Sequence, residues 1–220
     1  MLAWPPSAGL PFVPQRWYGS MTCGQADTIL IFTGSNFTVG SVDSGIWLVP
    51  FYQWSNSKVT FDAIGTEIWV AGGGADIRLA LYGNGGLHSA GTFPLRLIAK
   101  SPTITLPGGN NQLVESPFTS PVSLDSGQVY WLAILANPVN PTIRFRGWVS
   151  GTGTDDQEGF TLTGYRDPTS ISTPNKEPFL LLTQPTAAIY TDFPDDLQVL
   201  PTGSLPRITF QGPRVVLRAM

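Results

Sequence analysis

One histidine and one cysteine, His88 and Cys23, are all this chain offers of the two most versatile catalytic side chains. A single imidazole cannot build a multi-histidine metal centre, and a single thiol can form neither an intrachain disulfide nor a multi-cysteine metal site. His88 falls in the glycine-rich stretch GNGGLHSAG and reads as an exposed loop residue. A Ser-His-Asp triad can be assembled in any chain order, yet no G-x-S-x-G elbow is present to raise a nucleophile. Carboxylates are the better case. Asp155, Asp156 and Glu158 lie together in GTGTDDQEG, and Asp195 with Asp196 in FPDDLQ. A glycosidase needs two carboxyl groups across a sugar, and a calcium ion needs hard oxygen ligands, but the spacing is not that of an EF-hand loop. Both stretches read as solvated loops, with calcium at the first as the alternative and sugar hydrolysis behind it. No catalytic residue, cofactor or metal is assigned. The GGG at Gly72 and the GNGG at Gly83 precede no helix, so they read as turns rather than phosphate cradles.

What remains is surface chemistry. In TIRFRGWV, Ile143, Phe145 and Val149 share one parity, while Arg144, Arg146 and Trp148 share the other. With the first set in a core, the second presents two guanidiniums and an indole outward, a composition enriched in interfaces. Trp69 with Glu67, and Tyr82 with Arg78, repeat the arrangement on other segments. Such faces pack on sister subunits, or meet glycans through aromatic rings and polar side chains.

The elements that position these faces are strands. No segment sustains a helical apolar period over ten or more residues, whereas period-two and short apolar runs recur. In KVTF, Val59 and Phe61 face together; beyond Asp62 and Ala63 the run Ile64, Thr66, Ile68, Val70 shares one side, with Glu67 and Trp69 opposite. DIRLALY follows, with Ile77, Leu79 and Leu81 inward, and Ala71 to Ala75 between the two strands reads as a glycine-rich hairpin connection. IWLVPF from Ile46 and VYWLAIL from Val129 are apolar at both parities, as strands covered on both faces are. Further runs near Leu30, Pro94, Gln112, Phe160, Pro178, Arg207 and Arg214 bring the total to about a dozen strands. The expectation is an all-β, jelly-roll-like antiparallel β-sandwich over residues 26–220.

Residues 1–25 read as an extended attachment arm. The first twenty residues hold four prolines but little alternation, and a solvated linker would not carry Trp4, Phe12, Trp17 and Tyr18. They also lack the basic n-region of a signal peptide and the unbroken apolar run of a membrane span. No membrane insertion is expected, the Asn36-Phe37-Thr38 sequon is discounted, and the single cysteine suits folding in a reducing cytoplasm.

Charged residues make up only 12% of the chain, against about 25% in ordinary soluble domains, and hydrophobic ones 42%. A surface so poor in charge suits burial against other subunits. A net charge of −3 with scattered Lys and Arg argues against nucleic acid, whose binders concentrate basic residues on one face. The 24 Gly and 20 Pro read as turn residues between short strands.

Three stretches, VTFDAIGTEIWV (Val59 to Val70), ADIRLALYGNGG (Ala75 to Gly86) and LDSGQVYWLAIL (Leu124 to Leu135), together with the closing PRVVLR, resemble tail-fibre or receptor-binding virion proteins of tailed bacteriophages. The shared patterns are V-x-F-D-x-I-G, R-L-x-[IL]-Y before a glycine-rich turn, and G-x-Y-W-L-A. The turn GNGGLHSAG differs from the G-x-P-G loop of that group. The resemblance covers roughly residues 45–149 and the last few, and implies a jelly-roll-like domain, often trimeric, on a phage particle. The expectation is a non-enzymatic virion subunit, a homotrimer joined to other virion proteins by its arm and touching a host cell-surface polysaccharide. A capsid decoration or head-spike protein without a receptor is the alternative, and a polysaccharide-degrading tailspike-type enzyme the third reading.

Overall fold

The structure is a computed structural model, and it describes residues 14–19, 36–39, 45–53, 55–71, 74–88, 91–136, 143–149, 179–182, 191–197, 206–209 and 211–220. These residues hold fourteen strands and no helix: β1 (Trp17–Gly19), β2 (Asn36–Val39), β3 (Ile46–Tyr52), β4 (Val59–Ala71), β5 (Asp76–His88), β6 (Gly91–Lys100), β7 (Ile104–Thr105), β8 (Gly109–Leu124), β9 (Val129–Ala136), β10 (Ile143–Val149), β11 (Phe179–Leu182), β12 (Pro206–Thr209), β13 (Gln211–Pro213) and β14 (Val215–Ala219). Every pairing is antiparallel, and the strands divide into two sheets.

Sheet one holds β2-β10-β4-β8 and sheet two β3-β9-β5-β6. Each strand pairs with its mirror image about the β5–β6 turn: β5 with β6, β4 with β8, β3 with β9, β2 with β10. One long hairpin wound around a core in this way is a jelly roll. The remaining strands extend it. β14 lies beside the first half of β4, where β10 covers only the second, and β1 adds to β14. β11 and β12 widen sheet two beyond β3, β13 pairs the end of β10, and β7 pairs the start of β5.

Alternation makes the inter-sheet core. Sheet two sends in Trp47, Val49 and Phe51 from β3, Ile77, Leu79 and Leu81 from β5, and Leu132 and Ile134 from β9. Sheet one answers with Phe61, Ile64 and Ile68 from β4, Phe145 from β10 and Val215 and Leu217 from β14. Phe51 and Phe61 meet edge to face across the gap, centroids 5.8 Å apart. Burying one such side chain fully is worth about 1.5–3 kcal/mol, so this layer dominates the favourable side of folding. The change of phase in β4 has its cause at Asp62, where the register slips against both β8 and β14. A bulge there moves the inward set from Val59 and Phe61 to Ile64, Thr66 and Ile68. As their sequence implies, β3 and β9 are buried on both faces.

Three expectations are corrected. Ala71 to Ala75 is not a hairpin: β4 belongs to sheet one and β5 to sheet two, so the connection crosses between sheets. Its landing is fixed by Gly74, with φ near 83°, whose N–H donates to the Leu106 carbonyl at 3.1 Å. Gly83 to Gly86 is not a turn either; β5 runs through it to His88, and repeated register shifts against β6 absorb the glycines. Finally, Trp17 and Tyr18 do not ride on a separate arm. β1 pairs residue for residue with β14, and Tyr18 is part of the inter-sheet core. Tyr18 is buried, and Trp17 is partly buried beside Gly65 and Arg218. Trp4 and Phe12 lie outside the described residues.

Candidate functional site

The outer face of sheet two is apolar where a solvated face would be polar. Ile46, Leu48, Ala80, Tyr82, Trp131, Ala133 and Leu135 form a second cluster there, and residues 191–197 lie over it as a strap. The segment reads Thr-Asp-Phe-Pro-Asp-Asp-Leu. Phe193 and Leu197, 4% and 1% exposed, are its two apolar anchors. The Phe193 ring meets Tyr82 nearly edge-on at 6.2 Å, and the Tyr82 hydroxyl donates to the Pro194 carbonyl at 2.8 Å. The strap also finishes the edge of the sheet: the Leu97 N–H on β6 donates to the Asp195 carbonyl at 3.0 Å, and Arg96 bridges Asp196 in antiparallel fashion.

Charge fixes its leading end. Asp192 reaches Lys100 Nζ at 2.7 Å and Arg78 Nη1 at 3.2 Å, and its Oδ1 accepts the Phe193 N–H at 2.8 Å. Arg78 also donates to Thr103 Oγ1 and to the Thr191 carbonyl. Partial burial pulls the Asp192 carboxyl upward, but the hydrogen bonds from Lys100 and Phe193 and the charges of Lys100 and Arg78 outweigh it and hold the group below its ordinary range.

Sheet one carries a different cluster. The Arg218 guanidinium forks onto Asp62, lies 3.6 Å from Glu115 and stands over the Trp17 ring at 5.5 Å from its centroid. The Asp62 hydrogen bond raises the Arg218 pKa above its ordinary value. Gly65 makes the close approach possible: a Cβ there would sit 3.0 Å from the Val114 carbonyl oxygen and 3.2 Å from the indole. This cluster ties β1 and β14 to β4 and β8, and it is a fastening rather than an open site.

Among the surface residues singled out from sequence, Tyr82 is corrected outright. It does face away from the inter-sheet core, but the strap buries it completely, so it is not an exposed contact residue. Trp69, Arg144, Arg146 and Trp148 are brought onto adjacent strands of sheet one, β4 and β10. Arg144 pairs Val70 and Phe145 pairs Ile68, so the register slips at Trp69. Ile143 and Phe145 are buried, as the alternation requires. The side chains of those four residues lie outside what is described, as do Asp155, Asp156 and Glu158. Asp195 and Asp196 belong to the docked strap rather than to a free loop. Among the described residues, no group of three or more His, Cys, Asp and Glu side chains is placed to hold a metal ion. The strap itself escaped sequence reasoning, although FPDDL places two apolar side chains among carboxylates in a way that marks a docking segment.

No protein-family model matches the chain, and none of the curated proteins matches it in sequence.

Proposed function

We propose that the chain is a non-enzymatic structural subunit of a tailed-bacteriophage virion, most simply a tail-fibre or receptor-binding protein that recognises a host-surface glycan as a homotrimer. The observation that carries this reading is the place of the three resembling stretches. Val59 to Val70 is the spine of sheet one, while Ala75 to Gly86 and Leu124 to Leu135 supply β5 and β9 at the centre of sheet two. The resemblance therefore falls on the frame of one jelly roll, an architecture used by viral coat and lectin domains. The low share of charge fits a subunit whose surface is covered by symmetry-related copies. Residues before Trp17 remain the candidate attachment to other virion proteins.

Light scattering on the purified chain tests the assembly, and a glycan array tests recognition. Three times 23.7 kDa at micromolar concentration, with binding to a bacterial polysaccharide, supports the proposal. A monomer that binds no glycan but attaches to capsids overturns it in favour of a decoration protein. Sugar release from host polysaccharide would establish an enzyme instead.

A further inference from the structure

We propose that Asn84 and Gly85 form a self-modifying site, where β5 turns an asparagine into aspartyl and isoaspartyl forms through a cyclic imide. The Trp131 indole is the hydrogen-bond donor to the reacting carbonyl. The inference is independent of the virion reading and needs no reactant beyond water.

Asn84-Gly85 is the one Asn-Gly pair in the chain. Glycine leaves the nitrogen that follows asparagine unhindered, because no Cβ stands beside the path of attack. Inside a regular strand, ladder bonds hold that nitrogen extended and away from the side chain. β5 relaxes the restraint here. Its pairing with β6 passes from Asn84 opposite Pro94 to Gly86 opposite Phe93, so Gly85 is left out of that ladder. Its pairing with β9 has already ended at Gly83 opposite Tyr130. Gly85 is exposed, with φ near 150°, a conformation that residues with a Cβ rarely adopt. A bulged residue is unpaired on a strand that otherwise continues, so its peptide can turn toward the Asn84 side chain while the flanking pairs hold.

The Asn84 side chain is oriented for this. Trp131 Nε1 lies 3.2 Å from Asn84 Oδ1, and an indole N–H only donates, so it selects the carbonyl oxygen and turns Nδ2 away. Trp131 is fully buried in the outer-face cluster of sheet two, where a bond to developing charge counts for more than in water. Attack by the Gly85 nitrogen forms the N–Cγ bond and gathers negative charge on Oδ1, the atom the indole faces. The Gly85 N–H proton passes through solvent to Nδ2, the Cγ–Nδ2 bond breaks, and ammonia leaves. Water then opens the five-membered imide at either carbonyl. One opening gives aspartate, the other an isoaspartyl link that adds a methylene to the β5 backbone. Nothing is oxidised or reduced; water is consumed and ammonia released. Either product sets a carboxylate beside the indole and makes the net charge of −3 more negative by one charge.

Peptide mapping of the full-length chain aged in mildly alkaline oxygen-18 water tests the site, since only an imide opened before digestion carries the heavy oxygen. The expected result is a labelled carboxyl in place of the Asn84 amide, split between aspartyl and isoaspartyl forms. It should appear well ahead of any at Asn56, in the exposed connection before β4. Asn84→Gln, which has to close a six-membered ring, should lose the label at this position without slowing Asn56. Trp131→Phe, checked by circular dichroism, should slow labelling by about tenfold, a modest share of what an oxyanion donor contributes in enzymes. Ageing in denaturing urea makes the same comparison if that variant does not fold, and the ratio of Asn84 to Asn56 labelling should fall there. A wild-type Asn84 that stays unlabelled, or that lags Asn56, overturns the proposal. Labelling as fast in folded Trp131→Phe, or a ratio no higher in the folded chain than in urea, overturns the part given to the indole.

Discussion

Arg218 grips both oxygens of Asp62, Nε to Oδ1 at 2.9 Å and Nη2 to Oδ2 at 3.2 Å, at the residue where β4 changes phase. A bulge leaves a residue out of the ladder, and here that residue's side chain secures the neighbouring strand. Charge-assisted, bidentate bonds of this kind, partly shielded from solvent, contribute more than a surface ion pair does. Asp62→Ala should therefore cost about 1.5–3 kcal/mol of stability in urea denaturation. A double-mutant cycle with Arg218→Met should show clear coupling. Additivity within about 0.3–0.5 kcal/mol would mean that the fork contributes nothing of its own.

Gly65 is held to glycine by what lies above it. A methyl group there meets the Val114 carbonyl oxygen and the Trp17 ring at contact distances that neither backbone nor indole can relieve without moving. Gly65→Ala should destabilise the domain by about 1–3 kcal/mol, the usual range for overpacking. Tryptophan emission should shift as β1 is displaced, and the shift should vanish on a Trp17→Phe background, since six other tryptophans also emit. A neutral substitution with unchanged emission would show that Trp17 does not lie on Gly65.

How far such features could be read in advance depended on whether they were local. The phase change at Asp62 was visible because two alternating runs, Val59 with Phe61 and Ile64 with Ile68, disagree in parity across it. Burial of β3 and β9 on both faces was visible for the same reason, since both parities are apolar. The destination of β5 was not visible. A glycine-rich link between two strands looks the same whether it closes a hairpin or crosses between sheets, and only the non-local pairing of β5 with β9 decides. Tyr82 failed for a related reason: alternation tells which side of a sheet a residue takes, not whether a segment more than a hundred residues later will cover that side. Trp17 and Tyr18 were aromatic in a proline-rich stretch, and the partner that makes them a strand, β14, is at the far end of the chain.

At one end of the sandwich, Gln53 is fully buried and uses both ends of its amide. Nε2 donates to the carbonyls of Ser57 and Leu124 at 2.7 and 3.3 Å, and Oε1 accepts from the Ser55 N–H and hydroxyl at 2.7 and 3.0 Å. Ser126 donates to the Ser55 carbonyl, so the β3–β4 connection and the β8–β9 turn are held as one unit. Gln53→Leu preserves volume but leaves several buried polar groups unpaired, each costing about 1–3 kcal/mol. The expected outcome is a loss of about 2–4 kcal/mol, with faster amide exchange at Gly127, whose N–H bonds the Gln53 carbonyl. A loss below about 0.5 kcal/mol would show that water replaces the network freely.

The strap should loosen in acid. Asp192 is held below its ordinary pKa despite partial burial, chiefly by Lys100 and then by the Phe193 N–H and Arg78. A carboxyl whose folded-state value lies below the unfolded value of about 3.9 stabilises the folded form above that pH, and the contribution is lost as pH falls through the folded value. Lys100 and Arg78 face it at 2.7 and 3.2 Å, and protonating Asp192 removes the negative partner of both. The Asp192 side chain is 47% exposed, so solvent screens the pair and the effect is confined to the strap rather than to global stability. The Leu97 amide, which bonds the Asp195 carbonyl, is the local reporter. Its protection, corrected for intrinsic exchange, should fall as pH drops below about 4, while that of Leu132 in β9 holds. Asp192→Asn should show the reduced protection already at neutral pH and little further change on acidification. A wild-type Leu97 whose protection stays level through this range, or an Asp192→Asn variant that retains it, would show that Phe193 and Leu197 hold the strap without the ion pairs.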